Sequence, residues 1–162
     1  MMADKIKTQP ELSNIVEREK NAGKKIGFTN GCFDILHLGH ARYLNEAKKR
    51  CDLLVVGVNS DVSVKNIKGP CRPVNSQEDR MEVIGALECV DLVTLFEEDT
   101  PEGLIKKVTP DILFKGGDWD EKGVVGAGHV KGHGGEVEII PYVEGYSTTD
   151  MIKRMKNGET KG

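Results

Sequence analysis

The segment DLLVVGV, residues 52–58, constrains the fold most. It is an apolar run too short for a buried helix, and such runs mark strands covered on both faces. Four further segments read as strands: KIGFT (25–29), DLVTLF (91–96), DILF (111–114) and EVEII (136–140). Helical patterns stand between and around them, at 11–22, 40–50, 76–88, 100–108 and 147–155. Ser76 and Ser147 are placed as N-caps, and Thr100-Pro101 as a cap followed by a first-turn proline. Residues 59–75 read as a loop with at most one helical turn near Asp61, and 115–135 as a loop holding one helix. Strands alternating with helices predict an α/β fold: a single Rossmann-like domain whose parallel sheet of about five strands carries helices on both faces. The chain divides into an N-terminal helix (1–24), a main domain (25–156) and a tail (157–162) expected to be disordered.

Ligands of such sheets sit beyond the carboxyl ends of the strands. That rule selects residues 29–40, 115–119 and 141–149. In the first, TNGCFDILHLGH, His37 and His40 flank Gly39 where a strand gives way to a helix. A helix start offers free N–H groups and partial positive charge to a phosphate. Imidazoles can donate to phosphate oxygens, and either is expected to take a charge at small cost near neutral pH. Gly39 is expected to let the backbone approach a ligand. On residue types alone, one histidine could equally cap the helix while the other lies on the surface. A metal pair lacks an obvious carboxylate partner.

In VEGYSTTDMIKRM (143–155), Ser147, Thr148 and Thr149 open a helix, either as caps or as a second anion site. In VKNIKGPCRPV (64–74), Lys65, Lys68 and Arg72 could close over a triphosphate or form a solvated loop. In FKGGDW (114–119), Gly116 and Gly117 permit close approach, Asp118 can bind a hydroxyl or amine, and Trp119 can stack on a base or pack on the core. Two patterns are set aside. Gly126, Gly128 and Gly132 have GxGxxxG spacing with no strand before them, and His129 and His133 lack acidic or cysteine partners. The phosphate loop GxxxxGK[ST] is absent.

Bulk properties narrow the partners. The 162 residues fit one core, and a net charge of −3 shows no basic field of the kind that binds nucleic acid. No long apolar run suggests a membrane span, and the N-terminus lacks the apolar core of a signal peptide, so a cytoplasmic location is expected. Cys32, Cys51, Cys71 and Cys89 form no CxxC pair and are expected to be free thiols.

His37-Leu38-Gly39-His40 with the late YSTT resembles the HxGH nucleotidyltransferase superfamily. TNGCFDILHLGH, VVGVNSD, KGPCRPVN, EDR, FEEDTP, KGGDW and VEGYSTT together resemble the ADP-heptose synthase family, in that family's order across residues 29–149. The resemblance implies transfer of an adenylyl group from ATP to D-glycero-β-D-manno-heptose 1-phosphate, with magnesium on the ATP phosphates and no resident metal. It implies a catalytic role for His37, His40 and Lys68, with Lys65 as a second cation. It implies that Asn30, Gly31, Cys32, Phe33, Asp34 and Gly39 line the nucleotide pocket. Ser147, Thr148 and Thr149 would hold the triphosphate, and Gly116, Asp118 and Trp119 the nucleoside, with Arg80 a weaker contact. A homodimer, and a separate heptose kinase supplying the sugar phosphate, are also implied. Related glycerol-phosphate cytidylyltransferases carry arginine and threonine where this chain has Tyr142 and Val143, and the heptose family commonly has glycine at Cys71. The other readings are a glycerol-3-phosphate cytidylyltransferase, an FMN adenylyltransferase and a nucleotide-binding module without catalysis.

Overall fold

The computed structural model describes residues 4–117 and 120–160. Asp118 and Trp119 lie outside the described residues, as do the two ends of the chain.

Five strands form one parallel sheet: β1 (Ile26–Gly31), β2 (Leu53–Asn59), β3 (Leu92–Phe96), β4 (Ile112–Gly116) and β5 (Glu136–Ile140). Their spatial order is β3-β2-β1-β4-β5. All seven residues of β2 are buried, as its apolar run predicts. Alternation along β2 serves both faces. Leu53 and Val55 join one core cluster with Leu12, Val16, Leu104 and Ile105. Leu54, Val56 and Val58 join the other with Leu44, Ala47 and Ile84.

The helices are α1 (Gln9–Asn21), α2 (Leu38–Lys48), α3 (Asp61–Lys68), α4 (Gln77–Gly85), α5 (Glu102–Val108), α6 (Ala127–Gly132) and α7 (Thr148–Asn157). Thr8 and Glu11 form a capping box on α1, and Leu12 and Val16 bury that helix in the core. Ser76 and Ser147 cap α4 and α7 as expected, accepting from the amides of Asp79 and Asp150. The Thr100 cap is corrected: Pro101 is the N-cap of α5 and the helix starts one residue later.

The stretch after β2 departs further from its expected loop. Residues 61–68 form two turns of helix, because Ser60 caps Ser63 and Val64 is buried. The Ser63 hydroxyl also donates to the Glu98 carbonyl. The Ser60 cap lies within residues 59–75, whereas the Glu98 partner lies outside them.

The order reverses at β1, which pairs with β2 on one side and β4 on the other. Six Cα partners join β1 to β2, but only Gly27 with Ile112 and Phe28 with Leu113 join β1 to β4. Past Phe28 β1 and β4 no longer pair with each other, while each still pairs with its other neighbour, and the carboxyl edge at such a switch point is where sheets of this kind bind ligands.

Candidate active site

β1 delivers residues 29–37 to this edge, and α2 begins at once. His37 is its N-cap and makes no side-chain capping bond. His40 occupies the third helical position, because α2 starts two residues earlier than expected. The two rings stack with centroids 3.8 Å apart and an interplanar angle of 22°. Phe33 meets His40 edge-on at 5.4 Å, and Tyr146 lies against His37 at 6.3 Å. The Nδ1 atoms of both histidines are buried and have no hydrogen-bond partner among the described residues. Buried polar atoms without partners are uncommon in folded chains.

This environment corrects the expectation of easily charged imidazoles. Burial lowers the pKa of His37. Burial first, and the neighbouring His37 second, push His40 down to about 4. Both rings are therefore neutral near pH 7 until an anion compensates a proton.

Gly39 also serves the chain itself. A Cβ there would stand 2.9 Å from Cε1 and Nδ1 of His37 and 3.3 Å from Cβ of Tyr146. Only glycine leaves room for the His37 ring against Tyr146. The glycine of the motif thus fixes the position of the His37 ring.

α7 completes this side. The Ser147 hydroxyl accepts from the Asp150 amide, and the Thr148 hydroxyl donates to the Ile35 carbonyl at 3.4 Å. The start of α7 is thereby held against the loop between β1 and α2. Two helix N-termini converge on the histidine pair, while Thr149 remains exposed.

The opposite side is built from the basic segment. Lys65 and Lys68 are exposed on α3 three residues apart, so they share a face. Lys68 and Arg72 come within electrostatic reach of the Cys32 thiol. Burial nonetheless raises the Cys32 pKa, outweighing Lys68, Arg80 and Arg72.

Two expected ligand contacts are redirected. The Arg72 Nε donates to Asp34 at 2.7 Å, so this guanidinium is tied down rather than poised over a phosphate. Arg80 is 1% exposed and spends its donors inside the protein. Its Nε donates to the Asn75 carbonyl, and its two terminal nitrogens to the Cys32 carbonyl and the Asp61 carboxylate. A guanidinium with this many protein partners holds loops together.

Asp34 is the counterpart of Arg80. Its buried carboxylate accepts from Arg72 and from the amides of Val74 and Asn75. Burial opposes its charge, but the Asn75 and Val74 amides and then Arg72 outweigh that and hold its pKa below the ordinary value. Asn75 donates back to the Asp34 carbonyl at 2.6 Å. Asp34 and Arg80 thus lock the basic loop onto the loop after β1. Asn30 and Gly31 end β1, and Gly31 makes room for the Phe33 ring 3.0 Å from where its Cβ would be.

Four contributors escaped the sequence reading. Lys115, on β4, lies within electrostatic reach of Cys32, and burial lowers its pKa. Tyr43 sits one turn after His40 and shares a 2.7 Å hydrogen bond with Thr29. Tyr142 and Tyr146 frame the loop before α7. The lysine could have been found from its place at a strand's carboxyl end, whereas the tyrosines carried no spacing signal. Gly116 packs against Tyr43 and Tyr142. The two patterns set aside stay outside this site: Gly126 is the N-cap of α6, and the His129 ring lies tilted against that of His133, the C-cap of the same helix, with centroids 4.2 Å apart.

Among the described residues no helix is long and apolar enough to cross a membrane. No group of three or more His, Cys, Asp or Glu stands ready to hold a metal among them.

Comparison with known proteins agrees with this architecture. The bifunctional protein HldE of Trichlorobacter lovleyi is 50% identical over 151 residues, covering 93% of this chain and 31% of the relative. The HldE of Hyphomonas neptunium is 53% identical over 144 residues, covering 89% of this chain and 30% of that one. The chain thus spans about a third of the length of these curated relatives. A lipopolysaccharide core biosynthesis protein from Thermoplasma volcanium superposes with a TM-score of 0.62 at 34% identity, over 77% of this chain and 100% of that one. Pantothenate synthetase from Thermus thermophilus, at 16% identity and a TM-score of 0.65, shares the fold over 94% of this chain and 70% of its own. The family model described as cytidylyltransferase-like matches residues 28–154, from β1 into α7, and the chain belongs to this family of nucleotidyltransferases.

Proposed function

We propose that this nucleotidyltransferase transfers the adenylyl group of ATP to D-glycero-β-D-manno-heptose 1-phosphate, forming ADP-heptose for the lipopolysaccharide inner core. A phosphate oxygen of the sugar phosphate attacks the α-phosphorus of ATP. The bond from that phosphorus to the oxygen bridging to the β-phosphate breaks, and pyrophosphate leaves with the bonding electrons. Magnesium enters with the triphosphate. The sugar phosphate comes from a heptose kinase step, and a homodimer is the working assembly.

The observation that carries this reading is the stacked pair His37 and His40 with two unpartnered buried nitrogens between two helix starts. Neutral donors held in a dry site match charge that develops on phosphate oxygens as the bond breaks. Lys68 supplies fixed charge to the leaving pyrophosphate, with Lys65 and Lys115 beside it. Ser147, Thr148 and the start of α7 receive the triphosphate. Asn30, Gly31, Cys32, Phe33 and Gly39 line the nucleotide side, Gly116 the nucleoside. Asp118 and Trp119 belong to the same proposal. Asp34 and Arg80 enter it as positioning residues. The similarity to bifunctional HldE proteins over almost the whole chain supports the heptose acceptor.

Pyrophosphate release is the test, with magnesium and each of ATP, CTP and GTP, against α- and β-heptose 1-phosphate, glycerol 3-phosphate and FMN. Turnover with ATP and the β-anomer is expected. Turnover only with another pair would overturn the substrate assignment and leave the site roles in place.

A further inference from the structure

Tyr142 follows β5 and has 69% of its surface exposed, more than any other large hydrophobic side chain among the described residues. The ring is nevertheless seated. A Cβ on Gly117 would lie 2.2 Å from its Cε2, and one on Gly116 would lie 3.3 Å from its Cε1. Gly117 has φ +102°, and its amide donates to the Ile140 carbonyl at 3.0 Å, which ties the end of β4 to the end of β5. Beside Gly116 lies Tyr43, half-buried and bonded to Thr29. The ring therefore rests on a floor of two glycines: a Cβ at Gly117 would collide with it, and one at Gly116 would crowd it. Its remaining surface is open at the carboxyl edge of the sheet. Five residues further on, Ser147 caps α7 beside the histidine pair.

An exposed aromatic ring costs apolar exposure and gains little from packing on glycine. Seated on two glycines at the carboxyl edge, it presents a flat apolar face to a heterocycle. We propose that Tyr142 is a stacking platform for the purine base of the incoming nucleoside triphosphate and favours it over the smaller pyrimidine. This inference rests on the nucleotidyltransferase reading and extends it to the nucleoside. Stacking depends on the area of overlapping ring, so a purine gains more than a pyrimidine, and the triphosphate tail gains nothing. The segment 143–146 then leads from the base to the phosphates at the start of α7.

The test is calorimetric titration of the full chain, without sugar phosphate, using magnesium ATP, magnesium CTP and inorganic tripolyphosphate. Wild type is expected to bind ATP more tightly than CTP. Tyr142→Ala is expected to weaken ATP by about tenfold, CTP by less and tripolyphosphate not at all, while Tyr142→Phe stays within roughly twofold of wild type. The exposed position predicts unchanged thermal midpoints for both variants. An ATP affinity unaltered in Tyr142→Ala, or an equal loss for tripolyphosphate, would overturn the platform. So would a variant defective only in KM for the sugar phosphate, which would move the ring to the acceptor. Loss of ATP affinity in a protein that fails to adenylylate any heptose phosphate would leave the platform standing and remove the acceptor assignment.

Discussion

Two imidazoles stacked at 3.8 Å in a half-buried site repel each other when both are charged, and the protein keeps them neutral. The consequence can be measured. An unfolded histidine titrates near about 6.5, whereas His40 in the fold titrates at about 4. Between these values the unfolded chain binds a proton that the folded chain refuses, so stability falls as pH is lowered. The contribution is complete above the unfolded value and is lost progressively down to the folded one. Calorimetric melting of the nucleotide-free protein is expected to show a falling midpoint across that window, and His40→Asn is expected to flatten it. An identical slope in the variant would contradict the assignment. For His37, replacement by Ala is expected to lower turnover by about 10²–10³, the effect of losing one transition-state donor. The fold, followed by circular dichroism, is expected to survive. Near-normal turnover in a folded His37→Ala protein would remove its catalytic role.

At the scale of elements, the basic segment behaves as a docked loop. Asp34 receives three donors and Arg80 gives three, so both side chains belong to the joint between residues 32–34 and 72–75. Removing one partner of a buried ion pair leaves the other uncompensated, at about 3–5 kcal/mol. Asp34→Ala is expected to lose stability of that order in urea titration and to raise KM for ATP, because residues 72–75 lose their anchor on the loop after β1. A variant with normal stability would show that the joint is dispensable. The family resemblance pointed to Asp34 and Arg80 as nucleotide contacts. Their role was illegible because it depends on which atoms face them. Asp34 meets amides some 40 positions away, and Arg80 meets a carbonyl 48 positions away. The helix at 61–68 stayed hidden only in part for that reason: the Ser63 hydroxyl donates to the Glu98 carbonyl 35 positions away, whereas the Ser60 cap is local.

For the whole molecule, the switch point between β1 and β4 is in place without a ligand. The β1–β4 ladder stops after Phe28, and Thr148 at the start of α7 is bonded to the Ile35 carbonyl in the loop before α2. A ligand that binds only the folded state stabilises it by mass action, about 2.7 kcal/mol at a hundredfold excess over Kd. Magnesium ATP at that excess is expected to raise the melting midpoint by roughly 5–10 °C for a chain of this size. No shift in a scanning fluorimetry experiment would count against a preformed nucleotide site. Five strands, their parallel arrangement, the caps at Ser76 and Ser147 and the HxGH turn were all legible in the chain. Each depends on periodicity or on partners within a few residues, which the order of residues encodes directly. Tertiary structure alone decided that the His40 ring would be neutral, that Gly39 would make room for His37, that Arg80 would turn inward and that Tyr142 would lie on two glycines. These outcomes depend on burial and on distances between residues far apart in the chain, and desolvation and close contact act only once the sheet has brought those residues together.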